Sequence, residues 1–362
     1  MTPPRKAQRP PEEPKSNPGQ VPEPLSETIN YLTEENLLLK KQLSEMTAML
    51  KQLSERVSAI EKENSLLVSP KNNNNDEITT GGLEQWITSL AFNQAEKCLE
   101  EAINNLKKRE YSEAIENCTH ALNITESSKA YTLRGDAHYG LGNFEEAILD
   151  YDLAITLDDN NANTYLSRAT GLFYTGDYTG AILDCNQAIS INPQACDAYN
   201  LRGLAHMKLS DYQGAIADYT HALLINPSWH EGYKNRGYTF YELKNYEQAI
   251  EDYTKGILLV PDDAECYANR GNAYTQIQEY QKARADYEKA IAIEPDNALS
   301  YYNMGVLFHE LKDYEKAIAF YNRALEINPE FAIAYDRRGD AKIQCSEYKE
   351  GLTDLERAKG IK

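Results

Sequence analysis

AYTLRGDAHYGLGNFEEAILDYDLAI, residues 130–155, decides the fold, because the chain keeps returning to it. Further copies read AYNLRGLAHMKLSDYQGAIADYTHAL at 198–223 and CYANRGNAYTQIQEYQKARADYEKAI at 266–291, a period of 34 residues. A fixed period in this range marks a solenoid, in which each unit buries a core only against its neighbours. Such a protein works through one long surface, so function is sought there and not in an enzymatic cleft.

Aligned on that period, the copies hold fixed slots. A small residue recurs at Ala102, Gly135, Ala169, Gly203, Gly237, Gly271, Gly305 and Gly339. An aromatic recurs at Tyr111, Phe144, Tyr178, Tyr212, Tyr246, Tyr280, Tyr314 and Tyr348. Alanine follows it at Ala114, Ala147, Ala181, Ala215, Ala249, Ala283 and Ala317, with Gly351 in the last copy. Pro193, Pro227, Pro261, Pro295 and Pro329 punctuate the repeat ends, where proline stops a helix. Small residues let two helices approach closely, and aromatics fill the wider gaps.

These slots resemble the tetratricopeptide repeat family, with one pair of antiparallel helices per unit. The resemblance implies an all-α, right-handed superhelical solenoid over residues 83–362. Its eight repeats begin near 95, 128, 162, 196, 230, 264, 298 and 332, with the first copy one residue short. Leu83, Trp86, Ile87, Leu90 and Ala91 keep helical spacing into the first repeat, so its first helix is expected to start early and cap the stack. Lys359 stands where other copies carry Leu or Ile, so the last helix is expected to cap the other end.

Two charged slots vary together. Arg134, Arg168, Arg202, Arg236, Arg270 and Arg338 precede the small residue, and the same copies carry Asp150, Asp184, Asp218, Asp252, Asp286 and Asp354. The first copy has Glu101 and Asn117 instead, and the seventh has Met304 and Phe320. This joint variation suggests an Arg–Asp contact inside each repeat, replaced by an apolar pair in the seventh.

In the family resembled, exposed positions of the first helix line a concave face that holds extended peptides. One such position gives Asn235, Asn269 and Asn303 in successive repeats, and an asparagine can both donate to and accept from a peptide backbone. Asn200, Lys234, Tyr238, Tyr241, Asn272, Tyr302 and Arg337 surround them as further candidate groove residues, edged by Asp197, Glu231 and Glu265. The alternative is a co-chaperone that grips the C-terminal carboxylate of Hsp70 or Hsp90. That grip needs two lysines, two asparagines and a basic residue, and repeats six to eight supply Asn272, Asn303 and Arg337 but hold Ala268 and Ile333 at the lysine positions. The clamp is therefore incomplete.

The N-terminal third is built differently. Residues 1–24 carry eight of the fourteen prolines and read as a disordered tail. A heptad then runs over 25–68. Leu25, Leu32, Leu39, Met46, Leu53, Ile60 and Leu67 take one core position, and Ile29, Asn36, Leu43, Leu50, Val57 and Asn64 take the other. The spacing predicts a coiled coil about 60 Å long at the helical rise per residue. In a parallel pair Asn36 and Asn64 each meet their twin, whereas an antiparallel pair deprives each of its partner, at about 1–3 kcal/mol. A parallel homodimer is expected. KNNNNDEITTGG ends the 69–82 stretch, which reads as a flexible linker.

Composition narrows the partners. The chain has 37 Lys/Arg against 56 Asp/Glu, a net charge of −19, and residues 83–362 hold −17 of it. So acidic a solenoid repels nucleic acid and anionic membrane and favours neutral or basic proteins. No apolar run reads as a signal peptide or membrane span, so an intracellular location is expected, cytoplasmic or nuclear. The six cysteines show no CxxC; Cys98, Cys118 and Cys185 sit where other copies have Tyr and read as core residues. No phosphate-binding loop, nucleophile elbow or histidine cluster is present, so no catalysis, metal or cofactor is expected.

Overall fold

The computed structural model describes residues 80–361, with side chains from Thr88 onward. The tail, the heptads of 25–68 and most of the 69–82 stretch lie outside the described residues. Sixteen helices follow one another: α1 (Thr80–Lys108), α2 (Tyr111–Ile124), α3 (Ser128–Leu141), α4 (Phe144–Leu157), α5 (Ala162–Thr175), α6 (Tyr178–Ile191), α7 (Cys196–Lys208) and α8 (Tyr212–Ile225). The second half of the stack comprises α9 (His230–Glu242), α10 (Tyr246–Leu259), α11 (Ala264–Gln276), α12 (Tyr280–Ile293), α13 (Ala298–Glu310), α14 (Tyr314–Ile327), α15 (Ala332–Gln344) and α16 (Tyr348–Gly360). They pack as eight consecutive pairs, each pair also packing on the next, with no strand among the described residues. The first helix does start early, reaching back through Gly82 and Gly81 to Thr80. Leu90, expected on its capping face, is exposed. No described helix is long and apolar enough to cross a membrane.

Local chemistry sets the helix ends. Second helices α6, α8, α10, α12 and α14 stop two residues before a proline, which cannot continue them. Asp177, Asp211 and Asp313 cap α6, α8 and α14 by accepting a backbone N–H, while Asp263 and Asn297 do so for α11 and α13. The turn inside each pair passes through the left-handed region. Gly142 and Gly176 supply that residue in repeats two and three, and Arg109, Ser210, Lys244, Gln278, Lys312 and Ser346 supply it elsewhere with φ of 60–69°.

The core of each repeat is a matched pair across its two helices. A Cβ placed on Gly203 would lie 2.7 Å from the ring of Tyr219, and one on Gly135 2.6 Å from Tyr151. Gly237, Gly271 and Gly305 meet Tyr253, Tyr287 and Tyr321 in the same way. In the first and third repeats the small residue is Ala102 or Ala169, and the facing slot holds Cys118 or Cys185 instead of Tyr, all four fully buried. A methyl added on one helix is therefore offset by a ring removed from the other. Burial pushes both thiols up to about 12, in keeping with a packing role.

The Arg–Asp contact is present in all six repeats that carry the pair. Each arginine donates Nε and Nη2 to the two oxygens of its aspartate at 2.5–2.9 Å, and each aspartate is buried. The remaining Nη1 reaches back to the second helix of the preceding repeat. Its partners are Thr119, Asp152, Asn186, Thr220, Thr254 and Asn322. The guanidinium also lies 5.1–5.8 Å from the ring of the tyrosine three residues before it. One side chain thus ties three helices together. In the seventh repeat Met304 is buried, Phe320 stacks on Phe308 at 5.4 Å, and Glu288, left without the arginine, pairs with Arg284 at 2.8 Å.

Two stability measurements follow. Arg236→Met should cost about 3 kcal/mol, since it leaves Asp252 buried and unpaired. Adding Asp252→Phe should recover much of that loss in chemical denaturation, and simple additivity of the two single losses would refute the brace. Gly203→Ala should cost about 1–3 kcal/mol by overpacking against Tyr219. Combined with Tyr219→Cys, which recreates the third repeat's pair, it should cost clearly less than the sum of the two single changes.

Candidate binding surface

First helices of neighbouring repeats approach one another along most of the stack, as α1 does α3 and α11 does α13, whereas second helices do not. The ribbon therefore curves with the first helices inside, and their exposed residues form its inner face. The approach is slightest between α7 and α9. There the inner face opens into a pocket of about 280 Å³ lined by Leu204, Met207, Lys208, Tyr212, Tyr219, Asn235, Tyr238 and Glu242.

The residues expected from the sequence take up different stations. Asn235 donates from Nδ2 to Asn200 Oδ1 at 3.3 Å, so this amide pair bridges α7 and α9 beside the pocket. Tyr238, one turn on, is 46% exposed at the pocket's mouth. Burial, then the adjacent Glu242 carboxylate, pushes its phenol above the usual range. Tyr241 is half-buried and packs edge-on against Tyr246 at 5.4 Å. Lys234 is committed: it pairs with Glu265 at 2.7 Å and Asp263 at 3.8 Å, on the acidic edge of the face.

The three in-step asparagines do not stand alike. Asn269 is half-buried, while Asn303 is only 9% exposed and sinks beneath the surface. Asn272 accepts the Tyr287 hydroxyl at 2.8 Å. Tyr302 sits between Tyr321 and Phe331, with ring centroids at 5.8 and 5.2 Å, and Arg337 reaches its phenol from the exposed side of α15.

The pocket brings in residues that the sequence reading missed: Leu204, Met207, Lys208, Tyr212, Tyr219 and Glu242. A signal for them existed in the slot occupied by Asp136, Thr170, Leu204, Tyr238, Asn272, Val306 and Asp340. This slot lies over the core tyrosine of the second helix. Asp136 accepts the Tyr151 hydroxyl at 2.8 Å, as Asn272 does that of Tyr287. Leu204 and Val306 offer no polar atom at the same place. Tyr219 consequently lines the pocket with an uncapped hydroxyl, and the Tyr321 hydroxyl is buried without a hydrogen-bond partner.

Comparisons with known proteins agree with this architecture. The tetratricopeptide repeat model matches residues 128–161, 196–228 and 298–331, and a related TPR repeat model matches 172–210, 237–278 and 271–312. No curated protein matches the chain. A tetratricopeptide repeat protein from Parabacteroides merdae is 20% identical over 69% of this chain and 99% of its own, with a TM-score of 0.54. The C-terminal part of a TPR repeat-containing protein from Cytophaga hutchinsonii is 20% identical over 66% of this chain and 98% of its own, with a TM-score of 0.55. The Cut9–Hcn1 hetero-tetramer of the APC/C gives 18% identity over 73% of this chain and 52% of the matched chain, with a TM-score of 0.51. At these identities the likeness is one of fold.

Proposed function

This chain belongs to the tetratricopeptide repeat family, and we propose that it is a dimeric scaffold whose inner face holds extended segments of other proteins. The observation that carries the groove is the opening between α7 and α9. Apolar walls and hydrogen-bonding groups meet there in one concavity, with the Asn200–Asn235 pair along its side. Asn269, Tyr241, Tyr302 and Arg337 extend the same face toward the C-terminus, so a bound segment would run across several repeats. Dimerisation through 25–68 would present two such grooves, and a partner with two sites would gain avidity rather than single-site affinity.

The co-chaperone alternative has less support. Charge-assisted bonds hold a terminal carboxylate, and the lysine positions carry buried Ala268 and exposed Ile333. Lys234 is already engaged by Glu265.

Peptides selected from a random pool of blocked dodecapeptides on the full-length chain should lose about tenfold in affinity on Asn235→Ala with Asn269→Ala, by loss of about two hydrogen bonds. Thermal melts would show those variants still folded. An acidic peptide with the free C-terminus of a chaperone tail should bind weakly, with little change on amidating that terminus. Tight binding that amidation abolishes would put the co-chaperone reading in place of this one. Light scattering should give twice the chain mass of 41.0 kDa, falling to one chain on deletion of 25–68, with Asn36→Cys forming an interchain disulfide. A full-length monomer at micromolar concentration would remove the dimer.

A further inference from the structure

The pocket between α7 and α9 has a chemistry of its own, and resting on the reading that the inner face holds an extended segment, it narrows what that segment carries. Its polar lining includes several groups that can accept hydrogen bonds. Asn235 gives one of its two amide N–H groups to Asn200, and its carbonyl oxygen is open to a bound group. Glu242 brings a carboxylate, and the Tyr219 hydroxyl, without the acceptor that Asp136 and Asn272 give its counterparts, can turn its O–H or its lone pairs to a bound group. The walls are Leu204, Met207 and the rings of Tyr212 and Tyr238. A purely apolar side chain filling this space would make no use of these hydrogen-bonding groups. An acidic one would meet Glu242, in a repeat region carrying −17. The exposed Lys208 is the single cation of the lining, and it stands at the pocket's edge on the last residue of α7.

We infer that this pocket holds an arginine side chain of the bound segment. An apolar stem passes the leucine and methionine, the planar guanidinium lies against a tyrosine face, and its N–H groups meet the Glu242 carboxylate, the Asn235 carbonyl and the Tyr219 hydroxyl oxygen. The chain already uses this pairing internally, with guanidinium groups over tyrosine rings at 5.1–5.8 Å in six repeats. Lysine has the charge without the planar fork, so arginine is the better fit.

The test uses the dodecapeptide pool selected on the full-length chain, with affinities measured by calorimetry. Enriched peptides should share one arginine. Replacing it by citrulline, which keeps the shape and removes the charge, should weaken binding about tenfold or more, and by leucine at least as much. The citrulline comparison leaves the protein untouched, so folding does not enter it. Glu242→Gln and Tyr238→Ala, both at exposed positions, should give comparable losses, and Lys208→Ala should tighten binding. Peptides that share a large apolar residue and tolerate citrulline would overturn the arginine assignment. So would affinities that respond to Asn235→Ala with Asn269→Ala but ignore Glu242→Gln and Tyr238→Ala; in that case the groove stands and the pocket's role falls. If no enriched peptide responds to any inner-face variant, the groove reading fails and takes the arginine with it.

Discussion

A bidentate contact between an arginine of the first helix and a buried aspartate of the second braces six of the eight repeats, and the rest of the stack is built around it. Without that fork the aspartate would be left buried and unpaired, and with it the two helices are tied together at that point. Because the remaining guanidinium nitrogen bonds to the preceding repeat, the same residue carries geometry from one unit to the next. Even at the C-terminal end the pattern holds, where Arg338 and Lys342 overcome the burial of Asp354 and hold its carboxyl below the usual range. Repeat seven shows that the slot can be filled without charge, by Met304 and Phe320, but then Glu288 turns to Arg284 and the bridge to the preceding repeat is gone.

The inner face inherits its character from what lies beneath it. Each core tyrosine brings a hydroxyl up under the first helix, and the residue above decides whether that hydroxyl is consumed or left over. Asp136 and Asn272 consume it; Leu204 and Val306 do not. A structural requirement of the core, a ring facing glycine, thereby leaves a hydroxyl without a partner at selected repeats. Position along the solenoid then matters as much as residue type. Asn235, Asn269 and Asn303 share one slot, yet one bridges two helices, one is half-buried and one lies under the surface.

The period, the helix-pair class, the helix ends and the Arg–Asp pairing were all legible in the sequence, because each is a local or nearest-neighbour constraint that every copy had to satisfy. Copies within one chain constrain one another much as relatives otherwise do. The size exchange between Ala169 with Cys185 and Gly203 with Tyr219 is written in the same slots, but its reason shows only when the ring is seen against the glycine. The site was less legible. Lys234 reads as a groove cation but is held by Glu265 and Asp263, and Leu204, Tyr212 and Glu242 read as routine slot residues until α7 and α9 are seen to part. What the sequence determined by itself is the repeating unit, since a 34-residue period and its packing slots follow from contacts within a helix pair and with the next. What only the tertiary structure decided is where the inner face opens and which polar groups remain to be satisfied there. Those depend on the spacing between first helices of successive repeats and on side chains brought together from three helices, and no single repeat encodes either.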